Sequence, residues 1–231
     1  MKGSFGVIRV KGIPVRFHWT FAFLLVYVLA AGWYEGLQSS TILLNTAFLI
    51  AAFFCIVLHE LGHAFAASLF NIRTSEVLIL PVGGIAYIEK GKLSGGREFF
   101  IAFCGPLTNL LVAGAIWIIL QRFEPIDTTY ITLREHLSNI GISFSTRLMW
   151  INLFIFAFNL IPVLPLDGGV MVGALLKRFF SELTTERIQF LMSILFSAGF
   201  LVYSYLFHAV EYLFFAWFLY FTARLRIQTR T

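Results

Sequence analysis

The chain of 231 residues is 59% hydrophobic and only 13% charged, and its mean hydropathy is +0.85. A soluble domain of this length is about half apolar and roughly a quarter charged, so these few charges are too sparse to cover a water-facing surface. The composition therefore excludes a soluble globular enzyme and predicts one membrane-embedded domain. Basic cytoplasmic loops account for the formal net charge of +5, and nucleic acid is not an expected partner.

The chain opens with an extended-looking segment that contains Gly12 and Pro14. We predict that residues 1–16 lie along the cytoplasmic membrane surface. The apolar run that follows ends in small residues, and a basic start before such a run also fits a cleaved signal peptide. We favour a retained helix, because its removal would leave an odd number of spans.

Six apolar runs are candidates for membrane crossing, for which a helix needs about 20 mostly apolar residues. The fourth run is too long and too rich in proline to form one straight helix, and the sixth is short. The expected spans are residues 17–33, 43–70, 99–120, 148–176, 188–207 and 209–221.

The basic residues predict the orientation of these spans, since loops that stay in the cytoplasm carry the excess of Lys and Arg. Of the 17 basic residues, three fall on the side opposite to the N terminus, namely Arg122, Arg134 and Arg147. We therefore expect a multi-pass protein of the cell membrane with both termini in the cytoplasm.

Two aliphatic runs between the second and third spans flank a Pro-Val-Gly-Gly turn at residues 81–84. Such runs around such a turn predict a β-hairpin. The expected fold is thus an α-helical polytopic membrane protein of about six transmembrane helices with a small β-hairpin on the cytoplasmic side. We expect one strand within residues 77–88 to pair with an extended substrate, because an exposed strand edge can bind a peptide by β-augmentation; a plain surface hairpin is the alternative.

The second span contains His59-Glu60-Leu61-Gly62-His63, the H-E-x-x-H pattern. Two imidazoles four residues apart on a helix can reach one metal ion, and Glu60 can act as general base toward a water held there. Ionisable groups within a span are costly, so a functional role is the default interpretation. A satisfied polar cluster between helices is the alternative.

A catalytic zinc usually has three protein ligands and leaves one position for water, so a third ligand is needed. The acids to consider are Asp167 and Glu211. Counting along the spans places Asp167 in the cytoplasmic half, like His59, and Glu211 near the opposite face. Prolines and the Gly168-Gly169 pair are expected to break the fourth span and to free backbone groups there; a simple helix kink is the alternative.

Several other residues within the spans have candidate roles. Asn159 can donate its amide to a developing oxyanion or to the substrate main chain, or can form an interhelical hydrogen bond instead. Asn109 follows Gly105-Pro106, where close approach of helices makes packing the expected role. Cys55, one turn before His59, is expected to be a core residue.

Taken together, these motifs resemble the site-2 protease family of intramembrane zinc metalloproteases, in particular its compact branch. The likeness is carried by HELGH at residues 59–63, GPLTN at 105–109, NLIPVLPLDGG at 159–169 and the LPVGG turn, and it covers nearly the whole chain. The resemblance implies Zn²⁺ as the cofactor, Asp167 as the third ligand, Glu60 as the catalytic base, and Asn159 as a residue near the scissile peptide. We group Pro165 with Asn159 as substrate-binding.

The resemblance also implies a transmembrane or membrane-associated protein as substrate, cut near the cytoplasmic face as in regulated intramembrane proteolysis. It leaves inhibitory membrane partners unidentified. We expect residues 1–231 to form a single membrane-embedded metalloprotease domain without a PDZ or cystathionine-β-synthase (CBS) domain.

Three other classes of protein share part of this pattern. A transporter with broken helices would line a path through the bilayer with ionisable residues, whereas here they gather at one side. A catalytically silent metal-binding scaffold would not require Glu60. A prenyl-protein protease would require a downstream Glu ligand in the place of Asp167.

Overall fold

The structure is a computed structural model and describes residues 3–89, 95–123 and 144–228. The strands in these ranges are β1 (Ser4–Val10), β2 (Ile13–His18), β3 (Thr74–Leu80) and β4 (Gly83–Ile88). The helices are α1 (Phe21–Tyr34), α2 (Ser39–Ser68), α3 (Gly95–Phe123), α4 (Phe144–Asn159), α5 (Asp167–Leu176), α6 (Glu182–Phe207) and α7 (Glu211–Gln228).

Three of these helices, α2, α3 and α6, are long and apolar enough to cross a membrane. Shorter apolar helices occur at Phe21–Tyr34, Asp167–Leu176 and Tyr212–Phe221. The chain is therefore a mostly helical protein with candidate membrane spans and a small sheet. Helix length and composition support three spans in the described residues, and the count of six stays a prediction.

Five of the basic residues from which the orientation is predicted lie outside the described residues. The basic residues concerned are Lys2, Lys90, Lys92, Arg134 and Arg230. Glu211 is the first residue of α7, but its side chain is not described.

The predicted fourth span is interrupted, as its proline content indicated. Helix α4 ends at Asn159, residues 160–166 form turns, and α5 begins at Asp167. Proline lacks the N–H that a helix interior needs and clashes with the preceding turn, which explains why the helix stops before Pro162 and Pro165.

The chain divides into two compact units, residues 1–91 with 104–156, and residues 92–103 with 157–231. The first unit contains a four-stranded sheet in the order β1-β2-β3-β4. The β1/β2 and β3/β4 pairs are antiparallel, whereas β2 and β3 are parallel. Val15, Val77 and Ile79 of the sheet are fully buried against side chains of α1 and α2.

The β3/β4 pair confirms the predicted hairpin, and the N-terminal segment is extended, as expected, but its pairing into strands was not predicted. This segment forms β1 and β2, and its position along the membrane surface stays a prediction. The predicted start of the first span at Phe17 is wrong, because Phe17 pairs with Ile79 of β3 and the helix begins at Phe21. That parallel pairing joins segments about 60 residues apart, which local periodicity does not reveal.

The second unit has its core where Val163 and Leu166, from the segment between α4 and α5, pack with Leu219 of α7. An ion pair joins Lys177 Nζ to the Glu98 carboxylate at 2.9 Å. Residues of α6 also contact the start of α5, the helix that begins at Asp167.

Candidate metal centre

His59 and His63 lie one turn apart on α2 and are nearly buried, with 4% and 7% of their surface exposed. Their Nε2 atoms are 3.2 Å apart, and their rings meet edge to face at an interplanar angle of 84°. Two nitrogens bound to one tetrahedral zinc at 2.0–2.1 Å are about 3.3 Å apart. The spacing of the pair therefore fits two ligands of one ion.

Space for this pair is left by a glycine of α3. A Cβ on Gly105 would overlap Nε2 of His63 and would lie 2.8 Å from Nε2 of His59. A side chain here is sterically incompatible with the imidazoles in these positions, because real Cβ atoms essentially never approach another heavy atom within 3.0 Å. Gly105 thus keeps the ligand nitrogens unobstructed.

The other nitrogen of His59 is held by an asparagine. His59 Nδ1 lies 2.5 Å from Oδ1 of Asn109, which has no exposed surface. Asn109 Nδ2 in turn donates to Oδ1 of Asn152 at 2.8 Å. Asn109 therefore not only packs between helices, as expected, but also forms hydrogen bonds to His59 and Asn152. A signal was present in the sequence, because a buried amide within an apolar span is costly unless it has a partner.

Cys55 is buried, as expected of a core residue. Its Sγ accepts a hydrogen bond of 3.2 Å from Nδ2 of Asn152. The thiol therefore packs beside the polar residues that support His59.

Glu60 is nearly buried, with 7% of its surface exposed, and it lies against the sheet. A Cβ on Gly84, in β4, would come within 2.7 Å of Glu60 Oε1 and 2.8 Å of Glu60 Cδ. The glycine in the Pro-Val-Gly-Gly turn thus allows an edge strand to pass directly beside the Glu60 carboxyl group.

In the second unit, Asp167 is the first residue of α5. The next two residues, Gly168 and Gly169, pack so closely on the backbone of residues 160–164 that a Cβ at either would overlap it. Gln189 of α6 is buried and donates from Nε2 to the Gly169 carbonyl at 2.7 Å. These contacts fix the start of the helix that presents Asp167.

The two residues predicted to bind substrate belong to the broken segment. Asn159 is the last residue of α4, and Pro165 is exposed. The structure describes their positions but contains no substrate that would test the prediction.

His59 and His63 of the first unit offer two imidazole nitrogens, and Asp167 of the second unit offers a carboxylate; its place as the third ligand stays a prediction. Two imidazole nitrogens and one carboxylate oxygen are the kind of three-ligand set found in catalytic zinc sites. Donor chemistry, the spacing of the histidines and the room left by Gly105 all fit such an ion.

A histidine pair with an adjacent glutamate, on a helix apolar enough to cross a membrane, defines a metallopeptidase type of site in a membrane protein. The model of peptidase family M50 matches residues 47–203, which include the whole H-E-x-x-H helix segment and Asp167. The chain belongs to this family, the family of the site-2 proteases.

Two relatives and one solved structure illustrate the likeness. The chain is 29% identical over 188 residues to a zinc metalloprotease of Methanocaldococcus jannaschii, covering 81% of this chain and 50% of the relative. It is 27% identical over 149 residues to stage IV sporulation protein FB of Bacillus subtilis, covering 64% and 46%. The chain spans about half the length of these two relatives.

The solved structure is that of a site-2 protease from Methanocaldococcus jannaschii. It is similar with a TM-score of 0.68 and 26% sequence identity, and the match covers 96% of this chain and 94% of that one.

Proposed function

We propose that this chain is an intramembrane zinc endopeptidase that hydrolyses peptide bonds of membrane-inserted proteins near the cytoplasmic face. The observation that carries the proposal is the convergence of the His59 and His63 Nε2 atoms, 3.2 Å apart, on an apolar helix. Membership of peptidase family M50 and relatives named zinc metalloproteases support it.

In this proposal His59, His63 and Asp167 hold the zinc, which when bound polarises the scissile carbonyl and lowers the pKa of a neighbouring water. Histidine binds zinc through a neutral imidazole, so Asp167 would be the ligand that brings a negative charge. Removal of any one ligand is therefore expected to weaken zinc binding, and removal of Asp167 also changes the charge of the site.

Glu60 is the general base in this mechanism. Two observations support this role: Glu60 is the glutamate of the H-E-x-x-H pattern, and its carboxyl group lies beside Gly84 of β4. From there Glu60 accepts a proton from the attacking water and delivers it to the amine that leaves.

Asn159 and Pro165 are the proposed substrate contacts. Asn159 terminates α4 at the break, where its amide can donate to an oxyanion or to the substrate main chain. Pro165 lies in the turns that follow, where the backbone is not helical. Both therefore belong to the irregular segment that leads directly to Asp167.

We place the substrate main chain along β4. This strand is at one edge of the sheet as far as the structure describes it, and its Gly84 lies beside Glu60. A transmembrane helix satisfies its amides internally, so cleavage requires an extended form, and a free strand edge stabilises one. Exposed Ile85 and Tyr87 of the same strand offer side-chain contacts.

The strand hypothesis is tested with proline, which removes one N–H at a time. Substitution at the β4 positions whose N–H groups point away from β3 should abolish cleavage of a membrane substrate, with the fold retained. Proline at matched positions of β1, the opposite edge, should leave cleavage unchanged. Equal cleavage by the β4 and β1 variants would contradict the hypothesis.

The membrane arrangement extends the three supported spans to six, with both termini in the cytoplasm. The distribution of basic residues supports this orientation. Reporter fusions at each terminus and in each loop would test it.

Cleavage itself can be tested before any substrate is identified. Membranes from cells that produce the chain are compared, by mass spectrometry of new N termini, with membranes that contain His63→Ala. The proposal predicts cuts within or beside transmembrane segments of membrane proteins, present with the unmodified chain and absent with the variant. Identical sets of N termini would contradict it.

A further inference from the structure

A buried chain of hydrogen bonds leads from His59 to the backbone of α4. His59 Nδ1 lies 2.5 Å from Asn109 Oδ1, and Asn109 Nδ2 lies 2.8 Å from Asn152 Oδ1. Asn152 Nδ2 then lies 2.8 Å from the Leu148 carbonyl oxygen. Neither asparagine has any exposed surface. Water therefore does not compete for these groups, and each needs its partner within the protein.

The Leu148 carbonyl determines which atom donates and which accepts in every hydrogen bond of this series. A backbone carbonyl can only accept, so the Asn152 atom beside Leu148 O must be the amide nitrogen. The remaining Asn152 atom is its oxygen, which requires a donor, and Asn109 must supply its amide nitrogen. Asn109 consequently turns its oxygen to His59, and the Nδ1 of His59 must carry the proton.

The second proton of the Asn152 amide supports the same assignment. It is directed to Cys55 Sγ at 3.2 Å, and a thiol sulfur can accept, although weakly. Both protons of this buried amide therefore have acceptors in the assigned orientation. The reversed orientation would set the amide oxygen against the Leu148 carbonyl oxygen.

We propose that Asn109 and Asn152 are positioning residues that hold His59 as the Nδ1–H tautomer and so direct its Nε2 lone pair at the metal. The inference rests on the proposed function, since it treats His59 as a ligand. Nε2 of His59 faces Nε2 of His63, so the lone pair is aimed where the ion would be held. Neither asparagine would touch the metal or the substrate.

The second asparagine is needed because an amide can present either of its ends. If Asn109 turned its NH₂ group to His59, the imidazole would carry its proton on Nε2 and lose the ligand lone pair. Asn152, anchored on Leu148 O, prevents that flip. Metal-bound histidines commonly donate their other N–H to a carboxylate or a carbonyl; here two amides in series give the same result without a buried charge.

Zinc affinity of the full chain in detergent, measured by chelator competition, tests the proposal. We expect Asn109→Leu to weaken zinc binding about 10- to 100-fold, the usual effect of losing such a partner. Asn152→Leu should weaken it less, because Asn109 still presents its oxygen in part of the molecules. The double variant should bind no more weakly than Asn109→Leu, because Asn152 acts only through Asn109.

A matched control is the neighbouring Thr108→Val in α3. The Thr108 hydroxyl donates to the Cys104 carbonyl of its own helix, so this change also removes one hydrogen bond beside the site. It should leave zinc affinity unchanged. If Asn109→Leu fails to fold, Asn109→Ala removes the same acceptor with a smaller side chain and should weaken zinc binding in the same way.

The tautomer can be read directly by ¹⁵N NMR of histidine-labelled, metal-free protein. The His59 signal, identified by its loss in His59→Ala, should show the proton on Nδ1, and Asn152→Leu should show a mixture of tautomers. A proton on Nε2 in the unmodified chain, undiminished zinc affinity in Asn109→Leu, or additive losses in the double variant would overturn the proposal. If the unmodified chain binds no zinc, the proposed function fails instead, and the tautomer measurement still tests the inference.

Discussion

Gly105 of α3 lies against the imidazole of His63 so closely that a methyl group at this position would overlap the Nε2 atom. The same methyl group would lie 2.8 Å from Nε2 of His59. Four residues later, the same helix supplies Asn109, whose Oδ1 contacts the other ring nitrogen of His59, Nδ1. One turn of α3 therefore provides both the space for the two ligand nitrogens and the orientation of one of them.

Gly105→Ala is expected to expel or displace the imidazoles. Zinc content per chain should fall by at least about tenfold, and the free energy of unfolding should fall by about 1–3 kcal/mol because the site becomes overpacked. Elemental analysis and thermal unfolding in detergent measure the two effects. Gly114→Ala, on the same helix with no atom within 4 Å of the added methyl, is the control and should keep its zinc. A Gly105→Ala chain that holds zinc as well as this control does would refute the steric account.

Gly84→Ala should separate metal binding from catalysis. The added methyl would come within 2.7 Å of Glu60 Oε1, so the carboxyl group must move, while His59 and His63 are untouched. We expect zinc content to stay constant and cleavage to fall about 100-fold, as for a misplaced catalytic group. The control is Gly6→Ala in β1, where the methyl meets no atom within 4 Å. Normal cleavage by Gly84→Ala would show that Glu60 is not held by β4.

Gln189→Leu tests the support of the helix that presents Asp167. Loss of the 2.7 Å bond removes the Gln189 donor from the buried Gly169 carbonyl, at a cost of about 1–3 kcal/mol of unfolding free energy. Zinc affinity should fall as well, because the start of α5 loses this anchor. Ser197→Ala removes another buried bond of α6, to the Ala216 carbonyl, and should reduce stability without changing zinc affinity. Equal zinc affinity in both variants would contradict this role for Gln189.

The features that were predictable from the sequence are local ones. The H-E-x-x-H spacing fixes both histidines on one face of α2 by helix geometry alone. The aliphatic runs around residues 81–84 predict the β3/β4 hairpin, and the prolines predict the break after Asn159. In each case the signal and the structure lie within a few residues of each other.

The features that were missed depend on contacts between distant segments. The parallel pairing of β2 with β3 joins distant segments and includes Phe17, so the first helix begins at Phe21 and not at Phe17. The bond from His59 to Asn109 spans 50 positions, and that from Asn109 to Asn152 spans 43. Residue spacing does not encode such pairings, although the cost of a buried amide marks both asparagines as residues that need a partner.

The most direct test of the account is zinc content and proteolysis in Glu60→Gln, measured on the purified full chain in lipid vesicles with a membrane substrate found by the N-terminal comparison. Because Glu60 moves protons and does not hold the metal in this account, the variant should keep about one zinc per chain and lose cleavage by a factor of about 100 or more. Retained cleavage, or loss of zinc together with cleavage, would contradict the role assigned to Glu60.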